Sequence, residues 1–215
     1  MRIVVFGTGG AGGYFGAQLT RAGADVIFIA RGDHLSAIRK HGLCIESPAG
    51  EAAFRPTLAT DNPMQVGKAD VVLVGVKAWQ VTEAAEAIRP MIGPETFVVP
   101  LQNGVEAPSQ LAAALGAEHV LGGLCGTFSW VTAPGRIRSV GAGNYIKFAE
   151  LDNRPSDRAE QLRRVFEGAG VNAEIPSDIH KALWQKFLSH PYSKILGANL
   201  METLGIIREA ISIKD

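Results

Sequence analysis

The chain has 215 residues, of which 47% are hydrophobic and 20% are charged, an ordinary composition for a soluble globular enzyme. Its 21 basic and 21 acidic residues cancel, which argues against nucleic acid or a membrane surface as partner. No stretch approaches the roughly 18 apolar residues of a membrane span, and the N-terminal apolar run stops at Gly7, too early for a signal peptide. We therefore expect a cytoplasmic protein in which Cys44 and Cys125 are buried, unpaired thiols.

Strand and helix patterns alternate through about residue 115. Short β-branched runs predict buried strands at residues 3–6, 26–30, 71–76 and 97–100. Helices are predicted between and after them, at residues 14–22, 33–41, 81–88 and 106–115. Pro48 and Gly50 break residues 43–58 into one or two edge strands. The alternation predicts an α/β fold with a Rossmann-type, doubly wound parallel sheet.

The rest of the chain predicts short strands that extend or flank this sheet, at residues 120–131, 136–140, 145–148 and 171–175, and a helix at residues 156–169. Ser177 is predicted to cap a further helix that runs to about residue 190. We therefore predict an NADP-binding domain over residues 1–176. Residues 177–215 are expected to form the start of a helical substrate and dimerisation domain, truncated or diverged, because they are too few to bury a core of their own.

A glycine-rich motif of the form G-x-G-x-x-G lies between the first predicted strand and helix. It consists of Gly7, Thr8, Gly9, Gly10, Ala11 and Gly12. The first glycine permits a tight turn, the second lets the backbone approach a pyrophosphate, and the third lets helix and strand pack closely. The helix N-terminus would then offer free N–H groups to the phosphates. The alternative is a glycine-rich turn without a ligand, but the flanking strand and helix favour a dinucleotide.

The end of the second predicted strand indicates which dinucleotide binds. NAD sites place an acidic residue there to hold the ribose hydroxyls, whereas this chain has Arg31. A guanidinium can bind a 2′-phosphate through its forked donors, so we predict NADP(H) as cofactor. Alternatively, Arg31 is a solvated loop cation. Asp33 is expected to cap the following helix.

Lys77, Asn103 and Lys186 are the remaining candidates for a reaction centre. Lys77 and Asn103 directly follow buried strands, at the sheet edge where ligands of open α/β folds bind. Lys186 shares a helix face with Ile179 and Leu183, and an apolar environment can lower the pKa of such a lysine into the range of a proton donor. Each residue also has a simpler interpretation. Lys77 would be a surface lysine, Asn103 part of an Asn-Gly turn, and Lys186 a lysine whose stem is buried while its ammonium stays in water. No metal site is predicted.

Five motifs resemble those of the ketopantoate reductases (2-dehydropantoate 2-reductases). They are G-T-G-G-A-G-G at residues 7–13, A-R-G at 30–32, V-K-A-W-Q at 76–80, L-Q-N-G-V-E at 101–106 and L-W-Q-K at 183–186. The resemblance implies NADPH-dependent reduction of 2-dehydropantoate to pantoate in pantothenate biosynthesis. It also implies that the glycine motif and Arg31 bind the cofactor phosphates. Lys77 and Asn103 would contact both cofactor and substrate, and Lys186 would bind substrate and donate the proton.

The resemblance ends near residue 188. The family pattern has asparagines where this chain has His190 and Lys194, and Pro191 is expected to end the helix early. Two alternatives therefore stay open: a reductase of another 2-oxo acid, and a non-catalytic NADP-binding protein. The expected partners are a small 2-oxo acid and a second copy of the chain in a homodimer, because the C-terminal helix would expose an apolar face.

Overall fold

The structure, a computed structural model, describes residues 1–189. The strands are β1 (Arg2–Phe6), β2 (Asp25–Ile29), β3 (Leu43–Ser47), β4 (Gly50–Phe54), β5 (Leu58–Thr60), β6 (Val71–Val74), β7 (Phe97–Pro100), β8 (Leu121–Ala133), β9 (Arg136–Glu150) and β10 (Asn172–Glu174). The helices are α1 (Gly10–Arg21), α2 (Gly32–His41), α3 (Val81–Ile88), α4 (Ala107–Leu115), α5 (Asp157–Gly168) and α6 (Ile179–Ser189). Short 3₁₀ turns connect several of them.

The first sheet is fully parallel, with the strand order β5-β2-β1-β6-β7. Its apolar strands are buried on both faces, as continuous β-branched sequences predict. In β1, Ile3 and Val5 face a core that includes Phe15 of α1, whereas Val4 and Phe6 face a second core with α3 and α4. The strand order reverses between β1 and β6, so a crevice opens beyond their carboxyl ends. This confirms the predicted Rossmann-type fold.

The later strands form a second sheet around a long β8–β9 hairpin. One edge of β9 pairs with β8, while its other edge pairs first with β3 and then with β10, both in parallel. The predicted break at Gly141–143 is wrong: β9 continues through it, with Gly141 and Gly143 at positive φ. Cross-strand pairing to β8 on both sides of the glycines outweighs their weak strand propensity. An isolated bridge between Val98 and Val120 places the start of β8 beside β7.

Helix α6 packs on the second sheet through Ile179 and Leu183, both of which are buried. Its N-terminus differs from the prediction, since Asp178 rather than Ser177 caps it: the Asp178 carboxylate accepts from Lys181 N at 2.9 Å. Asn153 Oδ1 accepts from Ile179 N, also at 2.9 Å. Two orphan N–H groups of the first turn are thereby satisfied.

Asp33 was also predicted to be a cap, and this is wrong. Arg31 occupies the N-cap position of α2, while Asp33 lies in the first turn, where its negative charge interacts favourably with the helix dipole.

Cys44 and Cys125 are both unpaired, but Cys44 is only half-buried. Within residues 1–189 no helix is long and apolar enough to cross a membrane. The differences noted at His190, Pro191 and Lys194, and the rest of residues 190–215, lie outside the described residues.

Substitution of the α6 cap tests this assignment. We expect Asp178→Ala to lower the free energy of unfolding by about 0.5–2 kcal/mol, because Lys181 N loses its acceptor. The matched control Ser177→Ala should change it by less than about 0.5 kcal/mol. Urea denaturation followed by circular dichroism measures both. Equal losses in the two variants would contradict the assignment.

Candidate active site

The glycine motif forms the turn from β1 into α1 at the sheet crevice. Gly7 has φ +98°, a conformation that side chains disfavour, and a Cβ there would lie 2.7 Å from Val76 N. A Cβ on Gly12 would collide with the Gly7 carbonyl oxygen. The first and third glycines are therefore required by backbone packing between α1, β1 and the segment after β6.

The middle of the motif is open on one side and covered on the other. A Cβ on Gly9 would meet nothing within 4 Å, whereas one on Gly10 would collide with the Ser129 carbonyl of β8. The Thr8 hydroxyl is buried and donates to Ile29 O at 3.0 Å, so it ties the loop to β2. Ala11 is half-buried against the core. The free space that a pyrophosphate needs thus lies at Gly9.

A cavity of about 490 Å³ lies on the β2 side of this loop. Arg31, His34, Lys77 and Glu83 line it, and residues 131–134 of the hairpin form one wall. Arg31 Nη2 lies 3.6 Å from Glu83 Oε1, and both side chains are 68% exposed. Such an exposed pair is weak, and an anionic ligand can displace it at little cost. Arg31 is therefore available where the sequence predicts a 2′-phosphate contact.

His34 was not singled out from the sequence. It lies three residues after Arg31, and both of its ring nitrogens are hydrogen-bonded. Nε2 lies 2.8 Å from Thr8 O, and Nδ1 accepts from Gly135 N at 3.0 Å. The ring therefore links the glycine loop to the turn between β8 and β9.

A second cavity, of about 600 Å³, lies on the β7 side of the loop. Both cavities are lined by Gly9, Gly75, Val76, Lys77 and Val131. The second is lined further by Asn103, a predicted site residue, and by Trp79, Cys125, Ser129 and Trp130. An extended ligand could therefore lie across the glycine loop with one end in each cavity.

Gln102 holds the two strand ends of this second cavity together. Its side chain is buried, and Nε2 donates to Val74 O at 2.8 Å and to Val76 O at 2.9 Å. Lys77 directly follows Val76 and Asn103 directly follows Gln102, so these two bonds set the spacing between the predicted site residues. The sequence offered a signal in the L-Q-N-G motif, but only the structure shows what the amide does.

Lys186 and Asn103 lie 83 positions apart in the sequence, and the fold brings their side chains into contact. Lys186 Nζ donates to Asn103 Oδ1 at 3.0 Å. The ammonium is half-buried, and loss of hydration lowers the pKa of Lys186 below its ordinary 10.5. Cys125 lies nearby, and burial raises the pKa of its thiol to about 11, so the thiol is neutral at physiological pH.

The predicted site residues thus fall into one continuous region. Arg31 and Lys77 line the first cavity, Lys77 and Asn103 line the second, and Lys186 contacts Asn103. Among the described residues, no group of three or more His, Cys, Asp or Glu side chains could hold a metal ion. The arrangement offers backbone N–H groups, two ammonium groups and one guanidinium to an anionic ligand.

Comparison with known proteins agrees with this geometry. The profile described as "Ketopantoate reductase PanE/ApbA" matches residues 3–153. A 2-dehydropantoate 2-reductase of Mesorhizobium japonicum is 31% identical, with 93% of this chain and 68% of the relative aligned. The Bacillus subtilis "Uncharacterized oxidoreductase YkpB" is 34% identical, over 87% of this chain and 61% of that protein. The chain thus spans about three fifths to two thirds of these relatives.

Among solved structures, the crystal structure of 2-dehydropantoate 2-reductase from Porphyromonas gingivalis superimposes with a TM-score of 0.84 at 34% identity. The match covers 87% of this chain and 68% of that one. The profile match spans more than half of the sequence, and the fold and the position of the glycine loop accord with it. The chain belongs to the ketopantoate reductase PanE/ApbA family.

Proposed function

We propose that the protein is an NADPH-dependent reductase of a 2-oxo acid, and that its substrate is 2-dehydropantoate, which it converts to pantoate. The observation that carries the proposal is the 3.0 Å hydrogen bond between Lys186 and Asn103, beside the cavity that borders the glycine loop. An ammonium of lowered pKa thus contacts a residue of the cavity that Gly9 also lines, which supports the role of proton donor beside a bound dinucleotide. Family membership supports the reaction class.

The residues present fit NADP(H). The open space at Gly9 admits a pyrophosphate, and the N-terminus of α1 favours its negative charge. Arg31 lines the adjoining cavity and would bind the 2′-phosphate. Lys77 and Asn103 would contact the cofactor at its other end. When bound, the reduced nicotinamide supplies the hydride for the reaction.

The charges around the second cavity favour an anionic substrate. Neither Lys77 nor Lys186 forms an ion pair with a carboxylate among residues 1–189. A half-buried ammonium without a counter-ion attracts an anion more strongly than a solvated one does. The carboxylate of a 2-oxo acid would supply that charge, with Lys77 and Lys186 as its partners.

Lys186 would act as general acid. Reduction places negative charge on the carbonyl oxygen, and the ammonium both stabilises this oxygen and delivers a proton to it. The partial loss of hydration brings the pKa of the donor closer to neutrality, which makes proton transfer easier. Asn103 orients the ammonium through its side-chain oxygen.

Assays of NADPH binding and of turnover with 2-oxo acids distinguish two other functions from the proposed one. Turnover with another 2-oxo acid but not with 2-dehydropantoate would favour a reductase of different specificity, since the fold does not fix the substrate. NADPH binding without turnover on any 2-oxo acid would favour a non-catalytic NADP-binding protein.

The homodimer stays a prediction. The partly exposed Trp184 and Phe187 of α6 are consistent with it.

Arg31→Ala tests the cofactor assignment. We expect the variant to bind NADPH more weakly by about 1.5–3 kcal/mol, because charge-assisted hydrogen bonds to the 2′-phosphate are lost, and to bind NADH almost unchanged. Fluorescence titration measures both. Arg164→Ala, which removes an exposed arginine outside both cavities, controls for net charge. Equal losses for the two dinucleotides in Arg31→Ala would show that Arg31 does not read the phosphate.

Gly9→Ala tests the position of the pyrophosphate. The added methyl has open space in the ligand-free protein, so the melting temperature should stay unchanged. NADPH and NADH should both bind more weakly, by about 1–3 kcal/mol, since the methyl occupies the ligand's space. Gly12→Ala is the contrasting variant: its methyl meets backbone, and we expect it to lower the melting temperature. Undiminished binding by Gly9→Ala would place the phosphates elsewhere.

Lys186→Ala tests the general acid. We expect kcat to fall by about 10²–10⁴ while NADPH affinity is unchanged. In the wild type, kcat should decline as pH rises through the pKa of Lys186, because only the ammonium form donates a proton. Lys186→Arg should retain the positive charge but transfer no proton, since arginine stays protonated, so its kcat should be low and should lack this decline. If Lys186→Ala keeps its rate, the proton comes from another group and Lys77 is the next candidate.

A further inference from the structure

His34 has a hydrogen-bond arrangement that fixes its protonation state. Gly135 N can only donate, so Nδ1 must carry a lone pair; Thr8 O can only accept, so Nε2 must carry the hydrogen. The two bonds therefore require the neutral ring with the proton on Nε2. A second proton, on Nδ1, would face the N–H of Gly135 and break that bond.

The two groups bonded to His34 belong to different segments beside the first cavity. Thr8 is part of the glycine loop, and Gly135 ends the hairpin turn whose residues 131–134 line the cavity. His34 itself lines the cavity from α2. The ring is thus a direct connection between the loop that would bind the pyrophosphate and the wall that would cover the adenosine end.

We propose that His34 is a positioning residue for the dinucleotide: its neutral ring holds the hairpin turn against the glycine loop, and protonation releases the turn and weakens binding of NADPH and NADH alike. The inference rests on the proposed dinucleotide site. The inference goes beyond that site because His34 acts through Thr8 and Gly135, whose hydrogen bonds occupy both of its ring nitrogens.

The charges around the ring do not favour its protonation. Facing the same cavity are Arg31 from the start of α2, Lys77 after β6 and Glu83 from α3. Glu83 is paired with Arg31, and Asp33 is exposed in the first turn of α2. The described residues place no carboxylate in hydrogen-bond contact with His34.

Burial is the largest influence on the ring, and it lowers the pKa of His34 below the ordinary 6.5. The unfolded chain therefore takes up this proton more readily than the folded one. The stabilisation of the neutral bridge is complete above about pH 6.5 and is lost as pH falls from there through the lowered pKa. The effect therefore lies below about pH 6.5.

His34→Gln separates hydrogen bonding from titration. The glutamine amide can donate to Thr8 O and accept from Gly135 N, but it carries no proton that titrates in this range. His34→Ala removes both bonds. Binding of NADH is the main readout, because the 2′-phosphate of NADPH has its own ionisation near about pH 6. The wild type, His34→Gln and His34→Ala are each titrated with NADH at about pH 8 and at about pH 5.5.

We expect wild type and His34→Gln to bind NADH equally at about pH 8, and wild type to bind roughly 2–10-fold more weakly than His34→Gln at about pH 5.5. His34→Ala should be weaker at both. Without ligand, hydrogen–deuterium exchange in residues 131–136 should be faster in wild type than in His34→Gln at the lower pH, and equal at the higher.

Parallel pH profiles for wild type and His34→Gln would overturn the proposal, as would identical hairpin exchange in all three proteins. If the folded wild type binds neither dinucleotide at either pH, the proposed function fails, and the exchange rates alone decide whether His34 holds the hairpin. Should His34→Ala fail to fold, the comparison of wild type with His34→Gln is sufficient.

Discussion

The site depends on how closely the backbone after β1 approaches the backbone after β6. Gly7, Gly12 and Gly75 meet there without side chains, and a Cβ on any of them would collide with main-chain atoms of the others or of Val76. Because a main chain yields far less readily than a flexible side chain, this contact fixes the crevice at the strand-order reversal. Both cavities, and the half-buried N-terminus of α1 between them, follow from that contact.

Around this crevice, hydrogen bonds from side-chain amides and ring nitrogens hold together segments that are distant in sequence. Gln102 joins the ends of β6 and β7, and Asn103, the next residue, receives Lys186 from α6. His34 joins the glycine loop to the β8–β9 turn. Each bond lies on a short segment that directly precedes or follows a buried strand. The precision of the site therefore comes from the rigid sheet, together with the one or two hydrogen bonds that each of these side chains forms.

Local patterns in the sequence predicted the parallel strands and the glycine loop, because β-branched runs and glycine spacing report directly on burial and on backbone conformation. Lys186 and Asn103 could be proposed singly, but their contact depends on how α6 packs on the second sheet. Gln102 and His34 act through backbone atoms of other segments. The L-Q-N-G motif therefore indicates Gln102 but not its bonds, and His34 was not identified from any local pattern. The cap at Asp178 rather than Ser177, one residue away, reflects the limited precision of helix boundaries read from sequence.

The electrostatics around Lys186 explain why its charge is available to a ligand. Among residues 1–189, Cys125 is the ionisable neighbour that influences it, and burial keeps that thiol protonated, with a pKa of about 11. Asn103 supplies an oxygen that orients the ammonium but carries no charge to neutralise it. A carboxylate in either position would hold Lys186 in a strong ion pair and raise its pKa. With a neutral thiol and an amide instead, the ammonium keeps its lowered pKa, and among residues 1–189 no carboxylate neutralises its charge. The proposed role of Lys186 as proton donor to a 2-oxo acid requires both properties.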